Sequence, residues 1–113
     1  MKLINATKGD VISADLEIAE RFFQKMKGLL GRKGFADGSA LLIRSCSSIH
    51  MFFMRFAIDA VFVDKRMTVM KVCPDLKPWR LAGSFGADAV VELPEGAARR
   101  HNIEKGDQLR MEE

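Results

Sequence analysis

SIHMFFMRFAIDAVFVD, residues 48–64, breaks an apolar run with one imidazole, one guanidinium and two carboxylates: His50, Arg55, Asp59 and Asp64. Met51 and Met54 stand among them. Apolar strands bury polar groups only where each finds a hydrogen-bonding partner. The segment therefore marks a functional site or a satisfied polar network inside a small β domain. Its apolar runs predict two strands, Ile49–Phe53 and Ile58–Val63, followed by a tight turn at 64–66 into a third, Met67–Val72.

Upstream, Leu3-Ile4 and Val11-Ile12 flank a polar stretch containing Gly9, the pattern of a short hairpin. Alternating apolar and charged residues extend a strand to Ala19. Phe22, Met26, Leu29 and Leu30 then recur at helical spacing, which predicts an amphipathic helix from Glu20 to Leu30, stopped by Gly31. Ala40–Ile43 reads as a short buried strand. Downstream, Pro74, Pro78 and Gly83-Ser84-Phe85-Gly86 predict a long excursion with little regular structure. Ala89–Leu93 reads as a strand, Glu95–Asn102 as a short helix and Gln108–Met111 as the closing strand. The expected fold is α+β and mostly β: one domain over residues 1–113, a compact barrel-like sheet of about eight short antiparallel or mixed strands, with two helices capping it.

At 113 residues the chain has room for one core. No apolar run approaches the length of a membrane-spanning helix, and MKLINATKGD lacks the apolar centre of a signal peptide. These features set a cytoplasmic expectation with no membrane partner. Cys46 and Cys73 form no C-x-x-C pair and have no histidine at ligand spacing, so they read as free thiols in a reducing compartment. The net charge of +3 is unevenly placed: residues 20–44 carry six basic and two acidic side chains, and residues 81–113 four against seven. That asymmetry can steer an anionic partner. It lacks the dense basic clusters with interleaved aromatics of a nucleic-acid binder, and the phenylalanines read as core.

The pattern resembles the bacterial and archaeal family known as domain of unknown function 192. The matching text is ERFFQKMKGLLGR, ALLI, IHMFFMRFAIDAVFVD, VVELPEGAARRHNI and KGDQL, in the family's order, over roughly residues 14–110. Leu30 stands where the family often has methionine, and Ala57 where it often has proline. The resemblance implies a compact, mostly β fold with one or two helices. It carries no established activity, and although relatives often bear export signals, the cytoplasmic expectation rests on this chain's own amino terminus.

His50 and Asp59 are the candidate catalytic residues, since an imidazole beside a carboxylate supports acid–base chemistry. The same pair on adjacent strands also serves as a purely structural clamp, which is the simpler reading. Ser45, Cys46, Ser47 and Ser48 lie just upstream, but none sits in a recognisable nucleophile motif. His50 and His101 have no metal-binding companions, so no metal and no cofactor are expected. Methionines in apolar runs are core filler before they are soft-metal ligands. Pro78-Trp79-Arg80 offers an aromatic wall beside a forked donor, and Arg55 adds a second cation. Trp79 sealing the sheet is the competing structural role. Glu92 is expected to pair with a basic side chain, and Asp107 to cap its turn. The sequence favours a binding domain with Arg55, Trp79 and Arg80 as binding residues, for a small anionic molecule or a protein segment. A hydrolase or isomerase using His50 and Asp59 is the alternative, and nucleic-acid binding through the basic middle is the weakest reading. Whether the protein is an enzyme, and its oligomeric state, stay open at this point.

Overall fold

The computed structural model describes residues 1–19 and 34–113. Ten strands run β1 (Lys2–Asn5), β2 (Asp10–Ser13), β3 (Asp15–Ala19), β4 (Ser39–Arg44), β5 (Ser48–His50), β6 (Ile58–Val63), β7 (Val69–Leu76), β8 (Leu81–Gly83), β9 (Ala89–Pro94) and β10 (Leu109–Glu112). A single-turn helix, α1 (Ala97–Arg100), stands between β9 and β10. It is the only helix among the described residues; the helix expected over Glu20–Leu30 lies outside them.

The central layer is a five-stranded sheet in the order β3-β4-β9-β6-β7. β3 and β4 pair in parallel and the other neighbours antiparallel. Every residue of β6 and β9 is buried, which explains their continuous apolar text: central strands covered on both faces have no solvent side to alternate with. On one face Val61, Val63, Val91, Leu93 and Leu42 pack against Leu3, Ile12 and Leu109 of a three-stranded sheet, β10-β1-β2, and against Ala97 and Ala98 of α1. On the other, Leu41, Ile43, Ile58, Phe62 and Val90 pack against Ile49, Met51 and Met54. Ile49 belongs to a two-stranded ribbon, β5-β8.

The expected barrel is therefore corrected. β3 and β7 end the central sheet on opposite edges and are not paired with each other, so the molecule is a layered stack of three sheets. Two local expectations also change. The strand expected over Ile49–Phe53 stops at His50 and gives way to a turn. The excursion expected from Pro74 onward is instead the end of β7, followed by β8. Pro74 fits there because the β6–β7 register shifts between Ile58 and Ala60, where β7 carries an extra residue. A proline lacking its N–H is tolerated at such a bulge on an edge strand.

Candidate functional site

The β5–β8 ribbon joins Ser48 to Gly83, Ile49 to Ala82 and His50 to Leu81. Successive strand residues point to opposite faces. Ile49 and Ala82 turn toward the core, so His50 and Leu81 share the outward face. An open cleft of about 770 Å³ lies along this ribbon, lined by Ser45, Ser47, Ser48, His50, Lys71 and Gly83 among others. The Lys71 ammonium donates to the Gly83 carbonyl at 2.8 Å and stays exposed, with further N–H groups to offer. A Cβ at Gly83 would stand 3.3 Å from Ser48 Cβ, so glycine keeps the ribbon free of crowding beside the cleft.

Beyond His50 the ribbon ends in two interlocked turns. The Met54 amide donates to the Met51 carbonyl at 3.3 Å, and the Arg80 amide to the Lys77 carbonyl at 3.3 Å. The turns are tied together by Met51 N–H to the Arg80 carbonyl and Trp79 N–H to the Met51 carbonyl, both 2.8 Å. The third residue of each has a left-handed backbone: φ is +66° at Phe53 and +69° at Trp79. Glycine or asparagine ordinarily fills that position; here two large aromatics do. Their rings join a continuous row in which His50 stacks on Phe52 (centroids 4.7 Å), Phe52 lies tilted against Trp79 (5.8 Å) and Phe53 meets Trp79 edge-on (4.8 Å). Phe53 and Trp79 are both exposed.

This strain is measurable. Phe53→Gly is expected to be more stable than Phe53→Ala by about 1 kcal/mol, because both lose the ring and only alanine keeps the left-handed penalty. Urea denaturation of the two variants tests it, and alanine equal to or better than glycine would mean the turn relaxes without cost.

The structure does not bring His50 and Asp59 together. They were expected on adjacent strands, but β5 pairs with β8, whereas β6 lies between β9 and β7. Asp59 is fully buried and points to the α1 side. Its Oδ1 accepts the Asp75 amide at the β7 bulge (2.9 Å) and its Oδ2 accepts the Ala98 amide in the first turn of α1 (2.9 Å). One carboxylate thus satisfies a donor freed by a bulge and an orphan donor at a helix start. His50 accepts the Phe52 amide at Nδ1 (3.3 Å) and belongs to the cleft and the aromatic row. Trp79 and Arg80 stand at the same end of the ribbon, both exposed, and Arg55 is exposed one residue past the first turn. Glu92 is fully buried on the ribbon side of the central sheet. Among the described residues no group of three or more His, Cys, Asp or Glu is placed to hold a metal ion.

Sequence reading missed Lys71, Phe52, Phe53 and Leu81. Lys71 lies in β7, across which the chain returns to the ribbon, so no local motif announces it. Phe52 and Phe53 looked like strand core, and only the turn after His50 exposes them.

The arrangement matches a known fold. A crystal structure of a Novosphingobium aromaticivorans protein of unknown function superposes with a TM-score of 0.82 at 22% identity, covering 98% of this chain and 84% of that one. A Sinorhizobium meliloti protein whose name proposes a transcription regulator gives 0.82 at 22% identity, with 96% and 89% covered. At that identity the likeness is one of fold. A UPF0127 protein of Thermococcus sibiricus is 36% identical over 97% of this chain and 74% of its own length. A UPF0127 protein of Pyrococcus furiosus is 33% identical over 95% of each chain. The DUF192 profile, described as Uncharacterized ACR, matches residues 3–111, and with these relatives it establishes that the chain belongs to the DUF192 family.

Proposed function

We propose that the protein is a binding domain whose cleft along the β5–β8 ribbon takes a small anionic ligand. The observation that carries this reading is the cleft itself: the exposed Lys71 ammonium faces a space lined by Ser45, Ser47, Ser48 and His50. A cation with several neutral donors suits a carboxylate or phosphate group. The volume, about 770 Å³, lies in the range of small-molecule sites. Arg80 and Trp79 stand beyond the His50–Leu81 end of the ribbon, next to the cleft and not among the residues that line it. The acid–base reading is weaker, because the carboxylate it requires is committed to the Asp75 and Ala98 amides.

Titration with inorganic phosphate and with benzoate, followed by amide chemical shifts, tests the reading. Perturbations are expected to centre on residues 45–50 and 81–83. Lys71→Met should weaken the response about tenfold, the loss of one charge-assisted contact. A short peptide with a single aspartate, run in parallel, separates a free anion from a carboxylate on a partner's segment. Shifts confined to other surfaces, or affinities that ignore Lys71, would defeat the proposal.

A further inference from the structure

We propose that the aromatic end of the ribbon is a docking surface for an anionic lipid bilayer. The argument starts from where the large apolar side chains stand. Phe53 is 64% exposed, Trp79 58%, Leu81 70% and Phe85 fully exposed. Phe52, at 37%, joins them through its ring contact with Trp79. Four of the seven exposed large apolar residues among the described ones thus gather where His50 pairs with Leu81, whereas Phe85 lies past the opposite end of the ribbon, beyond Gly83. An apolar concentration of this kind marks an interaction surface.

The shape and charge of the patch select the occupant. Phe53 and Trp79 sit at the corners of two tight turns, 51–54 and 77–80, tied to each other. They are projections at the turn tips. Turn tips carrying Trp and Phe suit the headgroup level of a bilayer, where amphipathic rings are favoured. The strained backbone at Phe53 and Trp79 holds the two rings out at the tips. Next to them in the chain stand the exposed cations Arg55, Lys77 and Arg80, against one exposed carboxylate, Asp75, paired with Lys77 at 3.2 Å. That surplus attracts anionic headgroups and repels a second copy of the same patch. Single-stranded nucleic acid also uses cations and exposed rings, so it is the competing occupant that the test below separates.

Flotation of the full chain with vesicles tests the proposal. One set is phosphatidylcholine alone, and the other contains roughly one part in three phosphatidylglycerol. Partitioning is expected to be about tenfold or more higher on the anionic set, given several cations near the surface. Trp79, the only tryptophan, should shift its emission to the blue as it enters the interface. The K77E/R80E double variant should fall to the neutral-vesicle level. Phe53→Asn, which suits the left-handed backbone and so keeps the fold, should bind less tightly and shift Trp79 less. Equal partitioning on both vesicle types, or binding with Trp79 emission unmoved, would overturn the proposal. So would sedimentation showing that the patch is consumed by self-association, or preferential binding of an oligothymidine over anionic vesicles. The phosphate and benzoate titration reads the cleft alone, so either proposal can fail while the other stands.

Discussion

Asp59→Asn is expected to lower the unfolding free energy by about 3 kcal/mol, while His50→Ala costs less than about 1 kcal/mol. The difference follows from what each side chain holds. Asp59 is fully buried, and both of its oxygens accept backbone amides that belong to other elements. Asparagine keeps one oxygen and turns an NH2 group toward one of those amides. It removes a charge-assisted bond and leaves a buried donor facing a donor, a loss beyond that of an ordinary hydrogen bond. His50 stands at the edge of an open cleft, with water near enough to replace what it gives up. Urea denaturation of both variants and the double variant measures the effect. The two changes should add to within about 0.5 kcal/mol, because the residues sit in different sheets. A comparable loss from His50→Ala, or strong non-additivity, would mean that the two residues form one network after all.

The pair illustrates which part of the site was legible. Residue type and spacing identified Asp59 as a group needing partners in an apolar run, but they paired it with His50, which the structure places at the open cleft. What spacing cannot give is strand order. Nine positions apart, the two looked like neighbours across a tight connection, but residues 51–57 carry the chain from the ribbon to the middle of another sheet. The central strands were readable because burial on both faces writes itself as an unbroken apolar run. The ribbon was legible only in part: β5 was read as the start of a longer strand, while β8 is three residues long with its partner more than 30 positions earlier and has no pattern of its own.

Barrel closure failed for a related reason. Many short strands suggest a closed sheet, yet closure depends on whether β3 and β7 meet, and no local signal encodes that pairing. The aromatic turns were concealed by their composition. Phe53 and Trp79 occupy left-handed positions where glycine is the ordinary marker, so the sequence offered two apolar residues in place of a turn signal. Trp79 and Arg80 were still singled out, because a lone tryptophan beside proline and arginine is unusual whatever the backbone does.

Asp107→Ala should cost about 3 kcal/mol near neutral pH, and wild-type stability should fall in acid in a way that Asp107→Asn does not reproduce. Asp107 was read as a turn cap, and it bridges further than its own turn. Its Oδ2 accepts the Glu104 amide (2.9 Å) and the side-chain amide of the fully buried Asn5 (2.9 Å), and it ion-pairs with Lys8 at 3.1 Å. Its backbone carbonyl accepts the Val69 amide at 2.8 Å, so one residue fastens β1, β7 and the approach to β10. Truncation would leave the Asn5 and Glu104 donors without this acceptor. Burial by itself pulls the carboxyl pKa upward. The Asn5, Glu104 and Lys8 donors together outweigh that pull and hold it below the ordinary 3.8. A carboxyl lowered on folding binds its proton more weakly in the native state than in the unfolded chain. Its contribution is therefore complete above the ordinary value and is lost as pH falls through the lower native one. Lys8 acts at the opposite end. The Glu104 carboxylate raises it above 10.5 despite partial desolvation, with Asp107 adding to the rise, so its contribution fades only as pH climbs through that raised value. Urea unfolding of wild type and Asp107→Asn from about pH 7 down to about pH 2.5 compares the acid limbs directly. A wild-type curve that converges on the variant's as pH falls supports the bridge; parallel curves would show that Asp107 titrates alike in both states and that the acid limb comes from other carboxylates.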